Sequence, residues 1–495
     1  MPTRWPSCIS LNRERLKENT LKTLAQIAAE LQAELEGYDP QALPADDVLR
    51  FLSKLVSPVQ DASDVPLFEA LGRVLSDDVI SPFDVPPHDN SAMDGYAFDG
   101  QQLTEASVEA PLNLEVVGTA FAGKAWNGSV LQGQCVKIMT GAIMPTGLDT
   151  VVPQELVTVR TEPVEVSAAA STSSARTEFI AIPAKLLKPG DNRRHQGEDL
   201  MQGKPALLKG ELLTPARLGL AASLGLKTVR CYRQLKVAYF STGDEILSLG
   251  EPPREGAVYD SNRYTVFGLL SRLGCQVIDM GVVRDDPALL EAAFVQAASQ
   301  ADAIITSGGV SVGEADHTKA MMKKLGDVEF WRIAMRPGRP MAVGRIEKPV
   351  LEIFSGIKTT VNPIDTYVRS YKNNSEKSDA ILFGLPGNPV AVMVTFLAFV
   401  RPALLQMMGA SASPQPLLKA RSQEAMRKKP GRTEYQRGWV STAADGTLQV
   451  KTTGNQGSGV LSSMAQANGL IVLHHAQGNV AVGDNIDVLM FDGII

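Results

Sequence analysis

The sequence has few cysteines and no arrangement of them that would bind a metal or build a disulfide framework. Its four cysteines, Cys8, Cys135, Cys231 and Cys275, are widely separated along 495 residues. No CxxC pair and no Cys/His cluster occurs, which argues against a structural zinc site and against a disulfide-stapled domain. Free thiols are typical of proteins in a reducing cytosol, so the sequence predicts a cytoplasmic protein.

An excess of positive charge is also missing. Lys plus Arg total 48 against 54 for Asp plus Glu, which gives a formal net charge of -6. A protein whose main partner is nucleic acid usually has a basic face, so this balance argues against such a partner. A small anion is still a possible ligand, because one local cluster of arginines is sufficient to bind it.

Long apolar segments are scarce as well. We find no run of about eighteen apolar residues, and the first 40 residues lack the apolar core of a signal peptide. The sequence therefore predicts a soluble protein that has no membrane partner.

Several common catalytic motifs are absent. The glycines form neither GxGxxG after the first strand nor GxxxxGK[ST], which disfavours dinucleotide binding and P-loop NTPase chemistry. No Ser/His/Asp order and no HExxH helix is visible, so hydrolase and zinc-protease functions have no support.

Hydrophobic residues make up 44% of the chain, which is enough for real cores. A chain of 495 residues is too long for one core, so we expect three or four domains. Periodicity and breakers predict a helical extension over 1–43, a helical stretch over 44–85, a β-rich module over 86–191, a return to helix-like sequence within 192–233, an α/β domain over 234–410 and a β domain over 411–495.

The α/β domain is the most regular part of the pattern. Apolar runs at 237–240, 277–283, 303–305 and 381–383 are each followed by a loop and a helix-like stretch. This alternation predicts a parallel sheet with right-handed crossovers. The predicted fold class is therefore multidomain α/β, with a central parallel-sheet domain, a β-rich module, a mixed helical module and a C-terminal β-barrel-like domain.

The loops after these strands are the candidate site, because ligands bind outside the carboxyl ends of the strands in an open parallel sheet. Glycines in the third loop expose backbone amides that can approach a phosphate. One acidic loop alone is more often a solvated turn, but several at one edge favour a phosphate site with Mg²⁺. The carboxylates in these loops are Asp244, Glu245, Asp285, Asp286, Glu314 and Asp316.

Two further loops could bind anions. Residues 386–389 (PGNP) place Pro389 well as a first helical residue, and the amides at a helix start attract negative charge. Residues 336–340 (RPGRP) form a stiff loop with two arginines, whose planar forks suit tetrahedral oxyanions. Taken alone, the second motif fits a solvated surface turn equally well.

Together the motifs resemble those of the molybdopterin molybdenumtransferase family, which includes MoeA and the gephyrin E domain. The resemblance covers about residue 44 to the C-terminus and leaves the N-terminal extension outside. The matching segments are 89–96 (DNSAMDGY), 138–142 (IMTGA), 193–199 (RRHQGED), 241–245 (STGDE), 307–316 (SGGVSVGEAD) and 386–389 (PGNP).

The resemblance implies insertion of molybdate into adenylylated molybdopterin, with release of AMP in the presence of Mg²⁺. It implies a homodimer with the pocket formed across the two chains, and molybdopterin adenylyltransferase as the upstream enzyme. Residues 44–85 and 192–233 would then form one discontinuous, mixed α/β linker domain.

Site residues follow from the resemblance motif by motif. Asp94 and Thr140 would reach the pocket from the partner's β-rich module, and Glu198 and Asp199 lie in another matching motif. The implied catalytic residues are Asp94, Thr140, Glu245, Asp285 and Asp316, and the implied metal ligands are Asp244, Glu245, Asp285 and Asp316. The implied cofactor-binding residues are Ser307, Gly308, Gly309, Ser311, Gly313, Pro386, Gly387, Asn388 and Pro389, and the implied molybdate-binding residues are Arg336, Arg339, Arg432 and Ser458.

The chain departs from the family in places. Arg332, Arg336 and Arg339 stand where lysines are common, and Ala391 stands where serine is frequent. The stretch around 355–378 looks inserted and could crowd the pocket or form a lid. Two alternatives stay open: a molybdopterin adenylyltransferase, which usually lacks the additional modules, and a non-catalytic scaffold or inactive paralogue, against which the acidic loops argue.

Overall fold

The computed structural model of the protein describes residues 22–34, 42–107, 109–163, 176–310, 317–349, 379–411 and 415–492. Within these ranges the chain forms three six-stranded sheets and several two-stranded ones, together with helices that cover the central sheet. The predicted multidomain α/β class is confirmed.

Two helices precede the first strand, α1 (Leu24–Glu34) and α2 (Ala45–Leu55). In α2, Val48, Phe51 and Leu55 recur at helical spacing and are buried on one face. That face packs against the core of the central sheet, where the rings of Phe51 and Trp331 meet edge-on at 4.7 Å. The start of the 44–85 segment therefore packs with the central domain.

Helix α1 is held by both apolar packing and hydrogen bonds. Its Leu24, Ile27 and Leu31 side chains are each 0% exposed. The backbone N–H of Leu24 donates to the Asp327 carboxylate at 2.8 Å. Buried Arg345 donates to the carbonyl of Lys22, just before α1, and to that of Leu55 at 3.0 Å. Helix α1 is thus part of the folded core.

We expect Ile27→Ala to lower the free energy of unfolding by about 3 kcal/mol, because it removes buried methyl groups and leaves a cavity. Denaturant unfolding of the full chain measures this. Gln32→Ala, at an exposed position of the same helix, is the matched control and should stay within about 0.5 kcal/mol of the parent. Equal stability of the two variants would contradict the packing of α1.

The linker and the β-rich module follow. Their elements, in chain order, are β1 (Ala62–Pro66), β2 (Val79–Ile80), β3 (Asn90–Ser91), β4 (Gly95–Phe98), β5 (Leu112–Ala120), β6 (Gln134–Ile138), β7 (Thr150–Pro153), β8 (Thr158–Pro163), β9 (Arg176–Ile182), β10 (Arg193–Arg194), β11 (Pro205–Leu207), α3 (Pro215–Ser223) and β12 (Thr228–Tyr232), with short 3-10 helices at Leu67–Glu69, Gly100–Glu105 and Gln154–Leu156.

Strand pairing shows how the chain leaves the linker and returns to it. Strands β1 and β2 pair antiparallel with β12 and β11. Between them, six strands in the order β7-β4-β6-β5-β9-β8 form the sheet of the β-rich module. The small β3–β10 pair joins the segments that carry the 89–96 and 193–199 motifs.

The central domain contains β13 (Lys236–Thr242), β14 (Ile246–Leu247), β15 (Val258–Tyr259), α4 (Ser261–Arg272), β16 (Gln276–Val283), α5 (Pro287–Gln300), β17 (Ala303–Ser307), α6 (His317–Leu325), β18 (Gly326–Arg332), β19 (Met335–Arg336), β20 (Pro340–Ile346), β21 (Ala380–Leu385), α7 (Pro389–Thr395), a π-helical segment (Phe396–Val400) and α8 (Arg401–Met407). Its sheet has the order β16-β13-β17-β21-β20-β18. The four predicted strands, β13, β16, β17 and β21, run parallel. The sheet is mixed rather than wholly parallel, because β20 runs antiparallel to both of its neighbours.

The helical stretch Pro389–Met407 is 19 residues long and, by length and composition, apolar enough to cross a membrane. No uninterrupted run of about eighteen apolar residues occurs here, as expected, because Arg401 breaks the run although the helix continues beyond it. The segment is 67% buried inside the protein and supplies side chains such as Val390, Phe396 and Leu404 to the main core. It is the core helix of the central domain.

The C-terminal domain consists of β22 (Leu418–Ser422), β23 (Thr433–Thr442), β24 (Leu448–Thr452), α9 (Leu461–Ala465), β25 (Gly469–Leu473) and β26 (Asn485–Met490). The sheet closes on itself, because β23 pairs with both β24 and β25. The predicted barrel-like domain is thus a closed five-stranded barrel. Strand β19 of the central domain pairs in parallel with the start of β23 and joins the two domains.

Candidate active site

Four strands bring their loops to one edge of the central sheet. Parallel strands β13, β16, β17 and β21 end at Thr242, Val283, Ser307 and Leu385. Neighbouring loops are joined by hydrogen bonds from Gly243 N to Val283 O at 3.4 Å and from Gly308 N to Leu385 O at 3.2 Å. The STGDE, SGG and PGNP motifs therefore line one row, as ligand-binding loops of such sheets do.

One end of this row is acidic. The Asp285 backbone N–H donates to Asp244 Oδ1 at 3.3 Å, so the two carboxyl groups lie on touching loops. Glu245 folds back over its own loop, with its carboxylate close to Gly243. Asp286 accepts from the N–H groups of Ala288 and Leu289 at 2.9 and 3.0 Å and so serves as the cap of α5.

The acidic end suits a hard cation that keeps several of its waters. Mg²⁺ is commonly held by one or two carboxylates plus substrate phosphates, and the Asp244–Asp285 pair matches that donor set. Among the residues that the structure describes, no group of three or more His, Cys, Asp or Glu side chains could enclose a metal. The predicted ligand Asp316 lies outside the described residues.

The middle of the row is tightly packed backbone. A Cβ on Gly308 would lie 2.5 Å from the Thr242 carbonyl oxygen, and one on Gly309 would lie 2.5 Å from Thr318 Cβ. Both glycines have positive φ, of 94° and 67°, so a side chain would be excluded on two grounds. At Gly308 and Gly309 the loop therefore presents only backbone, which would suit a phosphate or pterin contact.

The side chain of Ser307, one of the implied cofactor-binding residues, is engaged within the protein. Its hydroxyl is buried and bonds to Tyr239 Oη at 2.7 Å and to Ser241 Oγ at 3.2 Å. Tyr239 Oη also bonds to Ser241 Oγ at 2.8 Å, which closes a ring of three hydroxyls. Ser307 thus fixes the ends of β13 and β17 from below, while Ser311 and Gly313 lie outside the described residues.

The PGNP loop connects the row to the barrel. Helix α7 begins at Pro389, as predicted, with Asn388 as its N-cap residue. The Asn388 amide donates to Ser458 Oγ at 3.0 Å, and the Ser458 carbonyl accepts from Val390 N at 3.1 Å. On the other side, the Asn262 amide donates to the Gly387 carbonyl at 2.8 Å. These contacts bring Ser458, which is distant in sequence, to the strand-end loops.

The RPGRP loop lies against the same helix. A Cβ on Gly338 would lie 2.4 Å from Thr395 Oγ1, so only glycine permits this approach to α7. Arg336 and Arg339 are exposed, and neither makes an ion pair within the described ranges. The loop that packs on α7 therefore carries two unneutralised guanidinium groups, which suit the binding of an anion.

Buried charges in the barrel were missed by the sequence analysis. Arg437 is 1% exposed and donates to the carbonyls of Asn455 and Gly457 and to Ser463 Oγ. Burial, reinforced by nearby Arg336, lowers the pKa of Arg437 to about 10. The one sequence feature that could have indicated them is the presence of two charged residues, Glu434 and Arg437, in a strand that also contains apolar residues, since charges within a buried strand are usually paired.

Asp94 and Thr140 form a second cluster, in the β-rich module. The backbone N–H and hydroxyl of Thr140 both donate to Asp94 Oδ1, at 2.6 and 2.7 Å, and lower the pKa of that carboxyl. Nearby, Arg194 bonds to Glu198 and lowers its pKa. Among the described residues, no hydrogen bond or ion pair joins Asp94 or Thr140 to the strand-end loops of the same chain.

Family descriptions match nearly the whole chain. Residues 43–225 match the MoeA N-terminal region (domains I and II), residues 238–406 a probable molybdopterin binding domain, and residues 419–491 the MoeA C-terminal region (domain IV). The N-terminal extension lies outside all three.

Curated relatives and a solved structure agree with this. A molybdopterin molybdenumtransferase from Haemophilus influenzae is 38% identical over 447 residues, which cover 90% of this chain and 98% of the relative. A molybdopterin molybdenumtransferase from Nostoc is 33% identical and covers 90% of this chain and 92% of its own. The crystal structure of a molybdopterin biosynthesis moeA protein from Pyrococcus horikoshii matches with a TM-score of 0.69 at 25% identity, covering 91% of this chain and 100% of that one. The chain therefore belongs to the molybdopterin molybdenumtransferase (MoeA) family, a family of transferases in molybdenum cofactor biosynthesis.

Proposed function

We propose that this protein inserts molybdate into adenylylated molybdopterin, with release of AMP, and that Mg²⁺ supports the reaction. The observation that carries the proposal is the row of strand-end loops, acidic at Asp244 and Asp285 and cationic at Arg336 and Arg339. Neighbouring strands are about 4.8 Å apart, so the end of β13, which precedes Asp244, and the start of β20, which follows the RPGRP loop, are separated by three strand spacings, or about 14 Å. A substrate with a phosphoanhydride and a metal-binding dithiolene can occupy both ends together.

The acidic end takes the phosphoanhydride. Asp244 and Asp285 would hold Mg²⁺, and the backbone amides of Gly308 and Gly309 would face the phosphate or the pterin. When bound, Mg²⁺ offsets the phosphate charge and polarises the anhydride. Without a cation, the carboxylates would repel the phosphates, so metal and phosphate are expected to bind together.

The cationic end takes molybdate, a doubly charged tetrahedral oxyanion. The two arginines of the RPGRP loop offer planar forks. Ser458 is fixed at the start of α7, the helix on which this loop packs, through its bonds to Asn388 and Val390. Arg432, which lies just before β23, completes the group. Tungstate has the same charge and shape and should compete.

In the proposed reaction, an oxygen of molybdate or of water attacks the adenylate phosphorus. The anhydride P–O bond breaks, and its electron pair leaves with the phosphate of molybdopterin. If water attacks, its oxygen enters AMP and its protons pass to solvent. If molybdate attacks, the bond between molybdenum and the shared oxygen breaks as the dithiolene sulfurs bind molybdenum, so that AMP departs with that oxygen. Carrying out the reaction with ¹⁸O-labelled molybdate distinguishes the two nucleophiles, because only direct attack by molybdate places label in AMP.

Reconstitution tests the function itself. A molybdenum-free apoenzyme is incubated with this protein, molybdate, Mg²⁺ and adenylylated molybdopterin, and its activity is followed together with AMP release. We expect both to depend on the protein. Accumulation of adenylylated molybdopterin from molybdopterin and ATP would instead indicate an adenylyltransferase. Binding of neither molybdate nor adenylylated molybdopterin in equilibrium dialysis would indicate a scaffold.

We also infer a homodimer in which the site is shared. Asp94 and Thr140 belong to the matching motifs, but within the described ranges neither bonds to the strand-end loops of its own chain. The outer face of α4 leaves Tyr264 and Phe267 about half exposed, at 48% and 50%, which is typical of an interface. A cytoplasmic location is part of the same proposal, in keeping with the free, buried thiols of Cys135, Cys231 and Cys275.

The inserted segment leaves the sheet at the edge opposite to the site. Strand β20 ends at Ile346, which pairs with Ala380 at the start of β21, whereas the candidate site lies at the end of β21. The Lys348 N–H lies within hydrogen-bond range of the Asp379 carboxylate, so the two attachment points are close together. Residues 350–378 themselves lie outside the described residues.

We therefore expect replacement of residues 350–378 by two glycines to leave AMP release within about twofold of the parent. A short hairpin can join these two antiparallel strands, and shortening a loop changes its closure entropy only slightly. Steady-state AMP release and thermal unfolding measure the outcome. A folded deletion variant with a large gain or loss of activity would show that the segment acts on the site.

A further inference from the structure

One buried carboxylate lies among cations where the RPGRP loop joins the barrel. Glu434 is 3% exposed and is the register partner of Arg336 across the β19–β23 pair. Arg432 contacts Glu434 directly. Lys428 is also close: burial lowers the pKa of Lys428, Glu434 opposes that shift, and Arg432 adds to it. Arg437, on the same strand as Glu434, lies near Arg336 of β19. Glu434 is thus the acidic group at a strongly cationic junction.

Both carboxylate oxygens of Glu434 have hydrogen-bond partners within the barrel. Its Oε1 accepts from Arg432 Nε at 2.8 Å and lies 2.7 Å from a terminal nitrogen of the same guanidinium. Its Oε2 accepts from Gln436 Nε2 at 3.2 Å, so both oxygens are engaged. A guanidinium has five N–H donors, and Glu434 uses only one edge of the Arg432 fork. The remaining donors of Arg432, whose side chain is 39% exposed, can face a ligand.

We propose that Glu434 is a positioning residue that fixes Arg432 and, through its own charge, sets how tightly the junction holds a doubly charged oxyanion. This inference rests on the proposed function, because it takes the oxyanion beside Arg432 to be molybdate. The two effects are separable. Holding Arg432 requires the length of the glutamate side chain, whereas limiting the affinity requires only its negative charge.

The charge effect has a predictable sign. A carboxylate close to the site repels a dianion, so removing it strengthens binding, by about tenfold for one partly screened charge. The positioning effect acts on turnover, because a misplaced guanidinium supports the reacting group poorly even when binding is strong. Glu434 therefore weakens the binding of the oxyanion through its charge and favours turnover by holding Arg432 in place.

Two substitutions separate these effects. Glu434→Gln keeps the length and loses the charge, and Glu434→Asp keeps the charge and loses the reach. Asp487→Asn is the matched control, because Asp487 lies in the same barrel and pairs with Lys419 and His474 instead. Equilibrium dialysis with molybdate alone, at low and high salt, gives the affinity, and AMP release at saturating molybdate gives kcat. Thermal unfolding identifies variants that are folded.

We expect Glu434→Gln to bind molybdate about tenfold more tightly at low salt, with a smaller gain at high salt. Glu434→Asp should bind molybdate no more tightly than the parent and should lose about tenfold in kcat. Parent-like affinity in Glu434→Gln, parent-like kcat in Glu434→Asp, or equal tightening in Asp487→Asn would each overturn the inference. Arg432→Ala separates this outcome from failure of the proposed function: if it binds molybdate like the parent, the oxyanion site itself is elsewhere.

Discussion

Replacing Arg336 by alanine is expected to weaken molybdate binding and to lower kcat/KM for AMP release by about 100-fold, since a hydrogen bond to a charged group contributes about 1.5–3 kcal/mol. The loss should be large because Arg336 is not neutralised by an acid in the described part of the chain. Its position is also fixed twice, by the β19–β23 pairing and by the contact of Gly338 with α7. A preorganised guanidinium needs little ordering when the ligand arrives.

Two further variants make this test specific. Arg336→Lys keeps the charge but not the fork, so it should recover part of the binding and less of the turnover. Arg421→Ala is the control, because Arg421 lies on β22 of the same barrel and pairs with Asp445 at 3.5 Å, with both side chains mostly exposed. Isothermal titration with molybdate gives the binding affinity, and steady-state AMP release gives kcat/KM. Unchanged affinity in a folded Arg336→Ala variant would remove Arg336 from the oxyanion site.

The sequence predicted the strand-end row because its signals are local. Each strand of the row is a short apolar run, and each loop begins where that run ends, so the common edge follows from parallel pairing alone. The antiparallel strand β20 was missed because a local signal does not specify strand pairing. Its apolar stretch does not reveal a direction, and only its pairing with β18 and β21 does.

Neighbouring residues of one type could not be told apart by sequence. Asp285 and Asp286 stand side by side, yet the second caps α5 and the first lies against the Asp244 loop. Ser307 belongs to the implied cofactor-binding set, yet its side chain bonds to Tyr239 below the sheet edge, which the motif alone did not indicate. Side-chain direction depends on tertiary neighbours, which a motif does not specify.

The cationic end shows a further limit. Arg432 and Ser458 could be assigned only through the family resemblance, because the barrel brings them to the central domain from far along the chain. The β19–β23 pairing and the Asn388–Ser458 bond make that connection. Glu434 carried no motif, and its importance comes from burial beside Arg432.

Mixing two inactive variants is expected to restore activity if the site is shared between chains. In a dimer of one Asp94→Asn chain and one Arg336→Ala chain, the intact β-rich module of the second faces the intact central domain of the first. The other site contains both substitutions, Asp94→Asn from one chain and Arg336→Ala from the other, and is inactive. Such heterodimers should therefore have about half the activity of a parent dimer, because one of two symmetric sites is complete.

Coexpression with two different affinity tags, followed by two purification steps, isolates the heterodimer, and AMP release measures its activity. Each variant purified alone should be nearly inactive, and a doubly tagged parent dimer gives the reference rate. If the site instead formed within one chain, the heterodimer would contain no intact site and would be as inactive as its parents. The same outcome would result from a monomer, which sedimentation of the parent protein distinguishes. Restored activity would therefore place Asp94 and Thr140, which bond to each other in the β-rich module, opposite the strand-end loops of the partner.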